Sequence, residues 1–356
     1  MQRSVSTLRL SPQIKVKVLN AGFHMLDDIM QVSALELCRE TGLSQEEAVE
    51  VLQAARKEGG ADEGGGSGNG ASLTALDLLQ KEEELNRIVT FSSRLDAALG
   101  GGLPVGKTTE ICGAPGVGKT QLCLQLAVDT QVPPCFGGLG GQVVFIDTEG
   151  SFMVQRVVDL ATAAVHHCTL LAEDAEQQDA VKTFTVESIL SNIFLVRCHD
   201  YVELLAEIYL LPDFLSLHPK VRLLVIDSLA FPFRQHFDEL RTQRTRLLNG
   251  LAQQLISMAT KHDLAVVLSN QMTTRLQGGR SELVPALGES WGHAPTQRLL
   301  LRWAGCQRQA TIFKSPDHQE ATVNYQITTD GFRDDDESEE PPSKRPRTNT
   351  DQSAVL

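Results

Sequence analysis

The sequence predicts an α/β fold with a mostly parallel sheet covered by helices on both faces, plus a small all-helical N-terminal domain and a disordered C-terminal tail. Three observations predict this organisation. Short apolar runs alternate with helical patterns through the middle of the chain, a glycine-rich stretch precedes that region, and proline and unbalanced charge crowd the C-terminal end. The 356 residues allow one large α/β domain and a small extra one.

Composition excludes several classes of protein. The net charge of −13 argues against a generally basic surface, so any DNA contact must come from a local cluster. No uncharged apolar run approaches the roughly 18 residues of a membrane span, and residues 1–10 lack the apolar segment of a secretory signal. The seven cysteines are scattered and never spaced as CxxC, which favours reduced structural thiols over disulfides or a metal site.

Residues 1–57 are predicted to form the small helical domain. Ser11 and Pro12 are typical of an N-cap followed by a first-turn proline. Ser44 and Glu47 have the spacing of a capping box that opens another helix. So short a unit is more typical of an interaction or DNA-docking module than of an enzyme, and the sequence does not decide between those two roles.

Residues 58–72 are predicted to be a flexible linker. From Gly59 to Gly70, seven of twelve residues are glycine. Such a stretch loses too much backbone entropy to become ordered and has nothing to bury, so it is expected to act as a tether.

The main domain is predicted over residues 73–332, beginning with an acidic helical piece around Lys81–Leu85. Apolar runs on consecutive residues are typical of strands covered on both faces, and their alternation with helices favours a largely parallel sheet. The predicted strands are Thr108–Cys112, Val143–Asp147, Ile193–Val196, Leu223–Asp227, Ala265–Asn270 and Leu299–Trp303. Two more, Gln309–Phe313 and Thr322–Ile327, are predicted to form a final hairpin.

The most specific motif lies between the first of these strands and a helical run, Gln121–Val128. It reads Gly113-Ala114-Pro115-Gly116-Val117-Gly118-Lys119-Thr120 and matches GxxxxGK[ST], the phosphate-binding P-loop. Its backbone N–H groups and the N-terminus of the following helix are expected to bind phosphate oxygens. Lys119 is predicted to reach the β- and γ-phosphates of ATP, and Thr120 to place its hydroxyl on Mg²⁺.

Two strand ends supply the carboxylates that a P-loop needs. Asp227 ends an apolar strand, which is the expected form of the carboxylate that supports Mg²⁺. Glu149 follows the strand that ends at Asp147, and ligands of an open α/β sheet bind at such strand ends. Glu149 is therefore predicted to be the general base that activates water. The alternative is a carboxylate that caps a helix before Gly150.

A polar amide, Gln271, directly follows the strand Ala265–Asn270. At that position it could sense the state of the nucleotide and pass it to the segment that follows. That segment, residues 272–287, contains Arg275, Arg280 and two glycines, and it is predicted to be a mobile basic loop. Its arginines would neutralise DNA phosphates without sequence preference.

A second candidate for DNA binding is the stretch 231–246. It carries Arg234 and three further arginines. The stretch is either a second DNA-binding loop or, from Arg241 onward, the solvated face of a helix, and the sequence leaves both interpretations open.

Residues 333–356 are predicted to be a disordered tail. An acidic run over 334–340 precedes two prolines and a basic tetrapeptide, Lys344-Arg345-Pro346-Arg347. The tetrapeptide fits a nuclear import signal, which predicts a nuclear protein that is also present in the cytoplasm. The alternative is a solvated tail with chance basic residues.

In this order, the motifs resemble one family. The P-loop, Ile146-Asp-Thr-Glu-Gly150, Leu224-Val-Ile-Asp-Ser228 and Ser269-Asn-Gln271 follow a tethered helical N-domain, as in the eukaryotic RecA-type DNA recombinases. The likeness covers roughly residues 8 to 332. The form of the P-loop, the glycine-rich tether and the basic tail look like the recombinase-paralogue branch of that family.

The resemblance implies a RecA-type ATPase core that binds single-stranded DNA through two loops and acts at subunit interfaces. It implies nucleotide roles for Lys119 and Thr120, and it places Arg156 where the family puts an arginine against adenine. Gln271 would couple nucleotide state to the DNA loop. The implied partners are other paralogues and the strand-exchange recombinase itself.

Two departures from the family pattern matter. Strand-exchange recombinases link neighbours with a Phe-x-x-Ala element, but the corresponding place here reads Ser72-Leu73-Thr74-Ala75. This departure argues against self-polymerisation into long filaments and favours pairing with other paralogues. Lys314 also replaces an acidic residue found in many filament-forming relatives, which suggests that it reaches across an interface to a neighbour's phosphates.

The sequence thus predicts a DNA-stimulated ATPase with slow hydrolysis that assists recombinase filaments in homologous recombination and double-strand break repair. One alternative is a scaffold subunit that binds ATP as a structural ligand with little turnover. The other is an unrelated P-loop phosphotransferase, which would need an acceptor pocket and would not respond to single-stranded DNA.

Overall fold

The structure is a computed structural model that describes residues 5–8, 10–30, 32–59, 74–83, 85–234, 241–277 and 280–335. The chain divides into two compact units between Glu83 and Glu84. This division lies beyond the boundary at residue 73 expected from the sequence. None of the described helices is both long enough and apolar enough to cross a membrane.

The N-terminal unit consists of helices, most of which pack around a small apolar core. A 3-10 helix, Val5–Thr7, comes first. The α-helices are α1 Pro12–Asn20, α2 Leu26–Met30, α3 Ala34–Thr41, α4 Gln45–Gly59 and α5 Ala75–Glu83. Fully buried side chains of α1, α3 and α4, such as Val18, Leu37 and Val51, form one hydrophobic cluster.

The predicted helix starts of this unit are confirmed. Ser11 caps α1 by accepting a hydrogen bond from the Ile14 amide, with Pro12 in the first turn. Ser44 and Glu47 form the reciprocal capping-box bonds at the start of α4, at 3.2 and 2.8 Å. The predicted linker falls mostly on residues 60–73, which lie outside the described residues.

The second unit is built on a nine-stranded sheet. Its strands are β3 Thr108–Gly113, β4 Gln142–Asp147, β5 Ile193–Arg197, β6 Val221–Asp227, β7 Ala265–Asn270, β10 Gln297–Ala304, β11 Gln307–Lys314, β12 Ala321–Thr328 and β13 Gly331–Asp334. Two small antiparallel pairs accompany it: β1 Arg87–Ile88 with β2 Leu103–Pro104, and β8 Met272–Gln277 with β9 Arg280–Pro285.

The strand order in the large sheet is β13-β12-β11-β10-β3-β7-β6-β4-β5. The six strands from β10 to β5 run parallel, and the β10–β13 edge is antiparallel. The predicted parallel sheet and the final hairpin are therefore confirmed. Strands β3 and β7 are buried along their whole length, as expected for strands of a parallel sheet that is covered on both faces.

Helices cover both faces of this sheet. They are α6 Ser93–Ala98, α7 Lys119–Asp129, α8 Val154–Leu171, α9 Ala175–Thr183, α10 Val186–Ser191, α11 Tyr201–Leu217, α12 Ala230–Arg234, α13 Arg241–Lys261 and α14 Glu289–Gly292, with a 3-10 helix at Pro134–Phe136. Two separate hydrophobic clusters result: α7 and α8 pack on one face, and α11 and α13 on the other.

One element differs from the sequence expectation. The basic segment 272–287, predicted to be a loop, forms the hairpin β8–β9 in its described residues, with Met272 opposite Pro285 and Gln277 opposite Arg280. Gly278 and Gly279, between the two strands in the sequence, lie outside the described residues. Two short runs separated by Gly-Gly are a pattern typical of a hairpin, and this pattern could have predicted β8 and β9.

The C-terminal boundary also differs. Arg333 and Asp334, assigned to the tail from the sequence, belong to β13. The Asp334 carboxylate accepts hydrogen bonds from the hydroxyls of Ser92 and Ser93 and from the Arg94 amide, which fixes it against the start of α6. The acidic run beyond Asp335 and the basic tetrapeptide 344–347 lie outside the described residues.

Candidate functional site

The P-loop joins the buried strand β3 to α7, as the motif predicts. Gly116 and Gly118 have φ values of 79° and 110°, a region that glycine tolerates and other residues rarely adopt. A Cβ at Gly118 would also clash with the Ile327 side chain. The hydroxyl of Tyr325 donates to the Val117 carbonyl at 2.7 Å, so β12 supports the loop from below. The backbone can thus turn its amides towards an anion at the start of α7.

Lys119, the first residue of α7, folds back over the loop. Its Nζ donates to the carbonyls of Gly113 and Ala114, at 3.0 and 3.1 Å. Burial lowers the pKa of Lys119, while the nearby Asp227 and Glu149 carboxylates act in the opposite direction. The ammonium group therefore lies between the loop and two acidic side chains, where a polyphosphate would place its charge.

Asp227 ends β6 and is 3% exposed. One carboxylate oxygen accepts a hydrogen bond from the Ser269 hydroxyl. The other is buried and makes no hydrogen bond of ordinary geometry within the described part of the chain. Burial raises the pKa of Asp227, and the hydroxyls of Ser269 and Thr120 lie close enough to lower it.

An uncompensated buried oxygen beside a threonine hydroxyl and an acidic residue fits a hard divalent cation. Thr120 and Asp227 are the residues that would hold Mg²⁺, in agreement with the motif. In the family, the metal neutralises phosphate charge and polarises the phosphoryl group. The side chains present therefore suit both nucleotide and magnesium.

The turn after β4 positions Glu149. Asp147 Oδ1 accepts hydrogen bonds from the amides of Glu149, Gly150 and Ser151, at 3.1, 2.8 and 3.1 Å. Asp147 Oδ2 also lies 3.5 Å from the Arg197 guanidinium. Of the carboxylates expected at this strand end, Asp147 is therefore occupied in shaping the turn, and Glu149 is directed into the site.

Glu149 meets Gln271 and Arg234 in one hydrogen-bonded chain. Glu149 Oε1 accepts from Gln271 Nε2 at 2.6 Å and from the Ser228 hydroxyl. Gln271 Oε1 in turn accepts from the Arg234 guanidinium. Three residues selected separately from the sequence thus lie together, at the carboxyl ends of β4 and β7 and at the end of α12.

Sequence reasoning gave no role to Ser228. Besides its bond to Glu149, its backbone is held by Thr148: the Ser228 amide donates to Thr148 Oγ1 at 2.9 Å, and Thr148 Oγ1 donates to the Ser228 carbonyl at 2.7 Å. These bonds tie the ends of β4 and β6 together. The available signal was its place directly after Asp227, within the motif quoted for the family.

Arg156, predicted to contact adenine, lies on α8. Its guanidinium donates to Gln121 Oε1 at 2.8 Å and to the carbonyls of Thr328 and Thr329 at 2.7 and 2.5 Å. These bonds fix the plane of the guanidinium between α7 and the turn after β12. A fixed plane is suited to stacking on a base, but its contact with adenine remains a prediction.

The remaining DNA-binding candidates lie on the hairpin β8–β9. Arg275 lies on β8 and forms an ion pair with Glu289 of α14, at 2.5 Å. Arg280 begins β9, and its side chain lies outside the described positions. In the second candidate stretch, α12 ends at Arg234 and α13 begins at Arg241, and the structure describes nothing between them.

Lys314 is occupied within its own chain. Its Nζ donates to the carbonyls of Gly292, His293 and Pro295, at 3.1, 2.9 and 2.7 Å. Burial lowers its pKa. An ammonium group has three N–H donors, so contact with a neighbour's phosphates would require it to leave these carbonyls.

Comparisons with known proteins identify the family of this chain. The family model described as Rad51 matches residues 81–335. A DNA repair protein RAD51 homolog 3 from Cricetulus griseus is 56% identical over 340 residues, covering 94% of this chain and 93% of the relative. The DNA repair protein RAD51 homolog 3 from Dictyostelium discoideum is 43% identical over 271 residues, covering 75% and 70%.

Proposed function

Because the chain belongs to the Rad51 family of RecA-type recombinases, in its paralogue branch, we propose that it is a DNA-stimulated ATPase of homologous recombination and double-strand break repair. In this proposal it assists recombinase filaments on single-stranded DNA as a subunit of a paralogue complex. Its partners are other paralogues and the strand-exchange recombinase. The observation that carries the proposal is the hydrogen-bonded chain from Glu149 through Gln271 to Arg234.

The nucleotide half of the proposal rests on the P-loop. Its amides and the Lys119 ammonium bind the triphosphate of ATP, and Thr120 and Asp227 hold Mg²⁺. Glu149 accepts the proton of the attacking water, because its carboxylate lies beside Lys119 and Asp227 at the sheet edge where such ligands bind. Ser228 orients Glu149 through its hydroxyl.

The DNA-binding part of the proposal rests on the chain segments that directly follow Gln271 and Arg234. Gln271 is followed directly by the hairpin β8–β9, and Arg234 is the last described residue before the gap at 235–240. Arg234, Arg275 and Arg280 supply positive charge that could neutralise DNA phosphates. DNA bound to these segments would displace Gln271 from its present contacts. Glu149 would then lose the hydrogen bond that it accepts from Gln271.

Replacing Glu149 by glutamine tests the chemistry. Glu149→Gln keeps the shape and an acceptor for Ser228 but removes the base, so we expect hydrolysis to fall by about 100-fold or more. ATPase rate is measured with and without single-stranded DNA, and MgATP binding is measured in parallel. Glu187→Gln, which changes an exposed carboxylate on α10, is the matched control and should retain the wild-type rate.

The second candidate, an ATP-binding scaffold with little turnover, is favoured by one observation. Glu149 Oε1 already accepts hydrogen bonds from both Ser228 and Gln271, so this oxygen is occupied and not open to an attacking water. If Glu149→Gln binds MgATP and hydrolyses it at the wild-type rate, the scaffold is the correct function.

Nuclear import through Lys344, Arg345, Pro346 and Arg347 remains part of the proposal. The segment lies outside the described residues, and its support is composition alone.

A further inference from the structure

A buried carboxylate lies beneath the hairpin β8–β9, on the central strand β3. Glu110 is fully buried. Its Oε1 accepts hydrogen bonds from Asn270 Nδ2 and from Trp291 Nε1, both at 2.7 Å. Its Oε2 accepts from Arg298 Nε at 2.5 Å. A charge so far from water is tolerated because a cation and two neutral donors surround it.

The two neutral donors come from opposite ends of the same hairpin. Asn270 ends β7, immediately before Gln271 and the start of β8. Trp291, which is 2% exposed, lies in α14, shortly after β9 ends. A single carboxylate oxygen, Oε1 of Glu110, therefore joins the segment that enters the hairpin to the segment that leaves it.

Adjacent residues connect this cluster with the nucleotide site. Asn270 bonds Glu110, whereas the next residue, Gln271, bonds Glu149. The backbone of Gln271 also accepts a hydrogen bond from the Ala286 amide at 2.9 Å, which closes the base of the hairpin. Gln271 is therefore linked to Glu149 on one side, and on the other to the base of the hairpin and, through Asn270, to Glu110.

Further contacts hold the segment that follows β9 and contains Trp291, here called the exit segment. Lys314 binds the carbonyls of Gly292, His293 and Pro295, and Gly292 lies against Arg298, which a Cβ at that position would meet at 2.7 Å. The Arg298 guanidinium lies 4.7 Å from the Phe313 ring centroid. These contacts fix the exit segment against β10 and β11. The hydrogen bond from Asn270 to Glu110 then fixes the segment that enters the hairpin relative to it.

We propose that Glu110 is a positioning residue: its buried carboxylate clamps Asn270 and Trp291, so that nucleotide contact at Gln271 is converted into a defined placement of the hairpin β8–β9. The inference rests on the proposed function, since it concerns how DNA and nucleotide sites affect one another. Glu110 contacts neither ligand. Its role is to couple the affinity for nucleotide to the affinity for DNA.

The two tryptophans of the chain supply a matched pair of variants. Trp291→Phe keeps an aromatic ring in the core but removes the N–H that binds Glu110, and it leaves the Glu110–Arg298 pair intact. Trp303→Phe is the control: Trp303 lies on β10, is 48% exposed and packs against Arg308. Each variant is made in the full-length chain and purified with the partners that accompany it.

The first readout is the affinity for fluorescein-labelled oligo(dT), measured by anisotropy with and without MgATPγS. Couplings between two sites are typically 5- to 150-fold in affinity. We expect wild type and Trp303→Phe to bind the oligonucleotide at least about fivefold more tightly with MgATPγS. Trp291→Phe should lose most of that ratio while its affinity for MgATPγS alone stays within about twofold, a change much smaller than the coupling.

The second readout is the emission of Trp291 itself, measured in a Trp303→Phe background where it is the single tryptophan of this chain. The emission of the same preparation carrying Trp291→Phe as well is subtracted, so that tryptophans of the partners cancel. MgATPγS should shift this emission, because nucleotide moves the base of the hairpin beside the indole. Adding Glu110→Gln should abolish the shift. This variant leaves Arg298 without its carboxylate, so circular dichroism checks its fold, and Trp291→Phe decides the question if it does not fold.

The outcomes are distinct. Equal coupling ratios in Trp291→Phe and wild type, or an undiminished emission shift in folded Glu110→Gln protein, would overturn the role of Glu110. Absence of any coupling in wild type would also overturn it, although DNA-stimulated hydrolysis could persist. Failure of wild type to bind MgATPγS at all would instead reject the proposed function.

Discussion

At the scale of single residues, the site combines groups chosen by motif with groups that only the fold reveals. Lys119, Thr120 and Asp227 are predictable because phosphate and magnesium require those residue types at that spacing. Ser228 and Glu110 are not, because their roles depend on which strands are neighbours in the sheet. A buried glutamate on an apolar strand has no local pattern that separates it from an exposed one.

One consequence at this scale is a pH-dependent stability. Burial raises the pKa of Asp96 to about 6, although hydrogen bonds from Thr90 oppose the shift. Because the folded-state pKa lies above the unfolded value of about 3.9, folding favours the protonated form, and stability falls as pH rises from about 4 to 6.

Asp96→Asn should remove this loss, since the amide stays neutral and its oxygen can still accept from Thr90. We expect the unfolding free energy of the variant, relative to wild type, to rise by about 1.5 kcal/mol between pH 5 and pH 7.5. Thermal or denaturant unfolding at the two pH values measures this. A difference that does not change with pH would show that Asp96 is ionised in the fold.

At the scale of secondary-structure elements, the strands with consecutive apolar residues and the final hairpin were predicted, whereas β13 and the hairpin β8–β9 were not. The runs ending at Asp147 and Asp227 are apolar on both faces, so their pattern is unambiguous. The four-residue strand β13 has a glycine and two charged residues, and it pairs only because β12 offers an edge. The hairpin β8–β9 was mistaken for a loop because its arginines and glycines suggested mobility.

Contact between the hairpin β8–β9 and DNA can be tested at Arg275, and its ion-pair partner Glu289 supplies the control variant. Arg275→Ala should weaken binding to single-stranded DNA and reduce the slope of log affinity against log salt by about 0.7, the value for one phosphate contact. Glu289→Gln, which removes the exposed partner of Arg275, should keep or raise the affinity. Affinity is measured by anisotropy over a salt series. An unchanged slope in Arg275→Ala would remove this residue from the DNA-binding surface.

At the scale of the whole molecule, the resemblance to a filament-forming family has to be reconciled with the missing aromatic anchor at Ser72–Ala75. The sequence predicts a chain that pairs with other paralogues. The net charge of −13 also bears on DNA binding, because it restricts the contacts with DNA to the arginines of a few segments.

This interpretation predicts a hetero-oligomer. We expect the chain, purified from its own cells and measured by native mass spectrometry, to be bound to different recombinase paralogues in small fixed numbers. Comparison with and without ATP shows whether nucleotide stabilises the assembly, as a ligand at an interface should. A series of masses that are multiples of this chain alone would contradict the prediction and indicate self-assembly.

Every role proposed for the site requires that the loop Gly113–Thr120 bind a triphosphate together with magnesium. The most direct test is a fluorescence titration with a labelled ATP analogue, with and without Mg²⁺, on wild type and on Lys119→Ala purified in the same way. We predict saturable, magnesium-dependent binding to wild type, and a loss of about 100-fold or more in Lys119→Ala, corresponding to about 3 kcal/mol for a buried charge-assisted contact. Binding of equal strength to both proteins, or none to wild type, would show that this loop is not the nucleotide site.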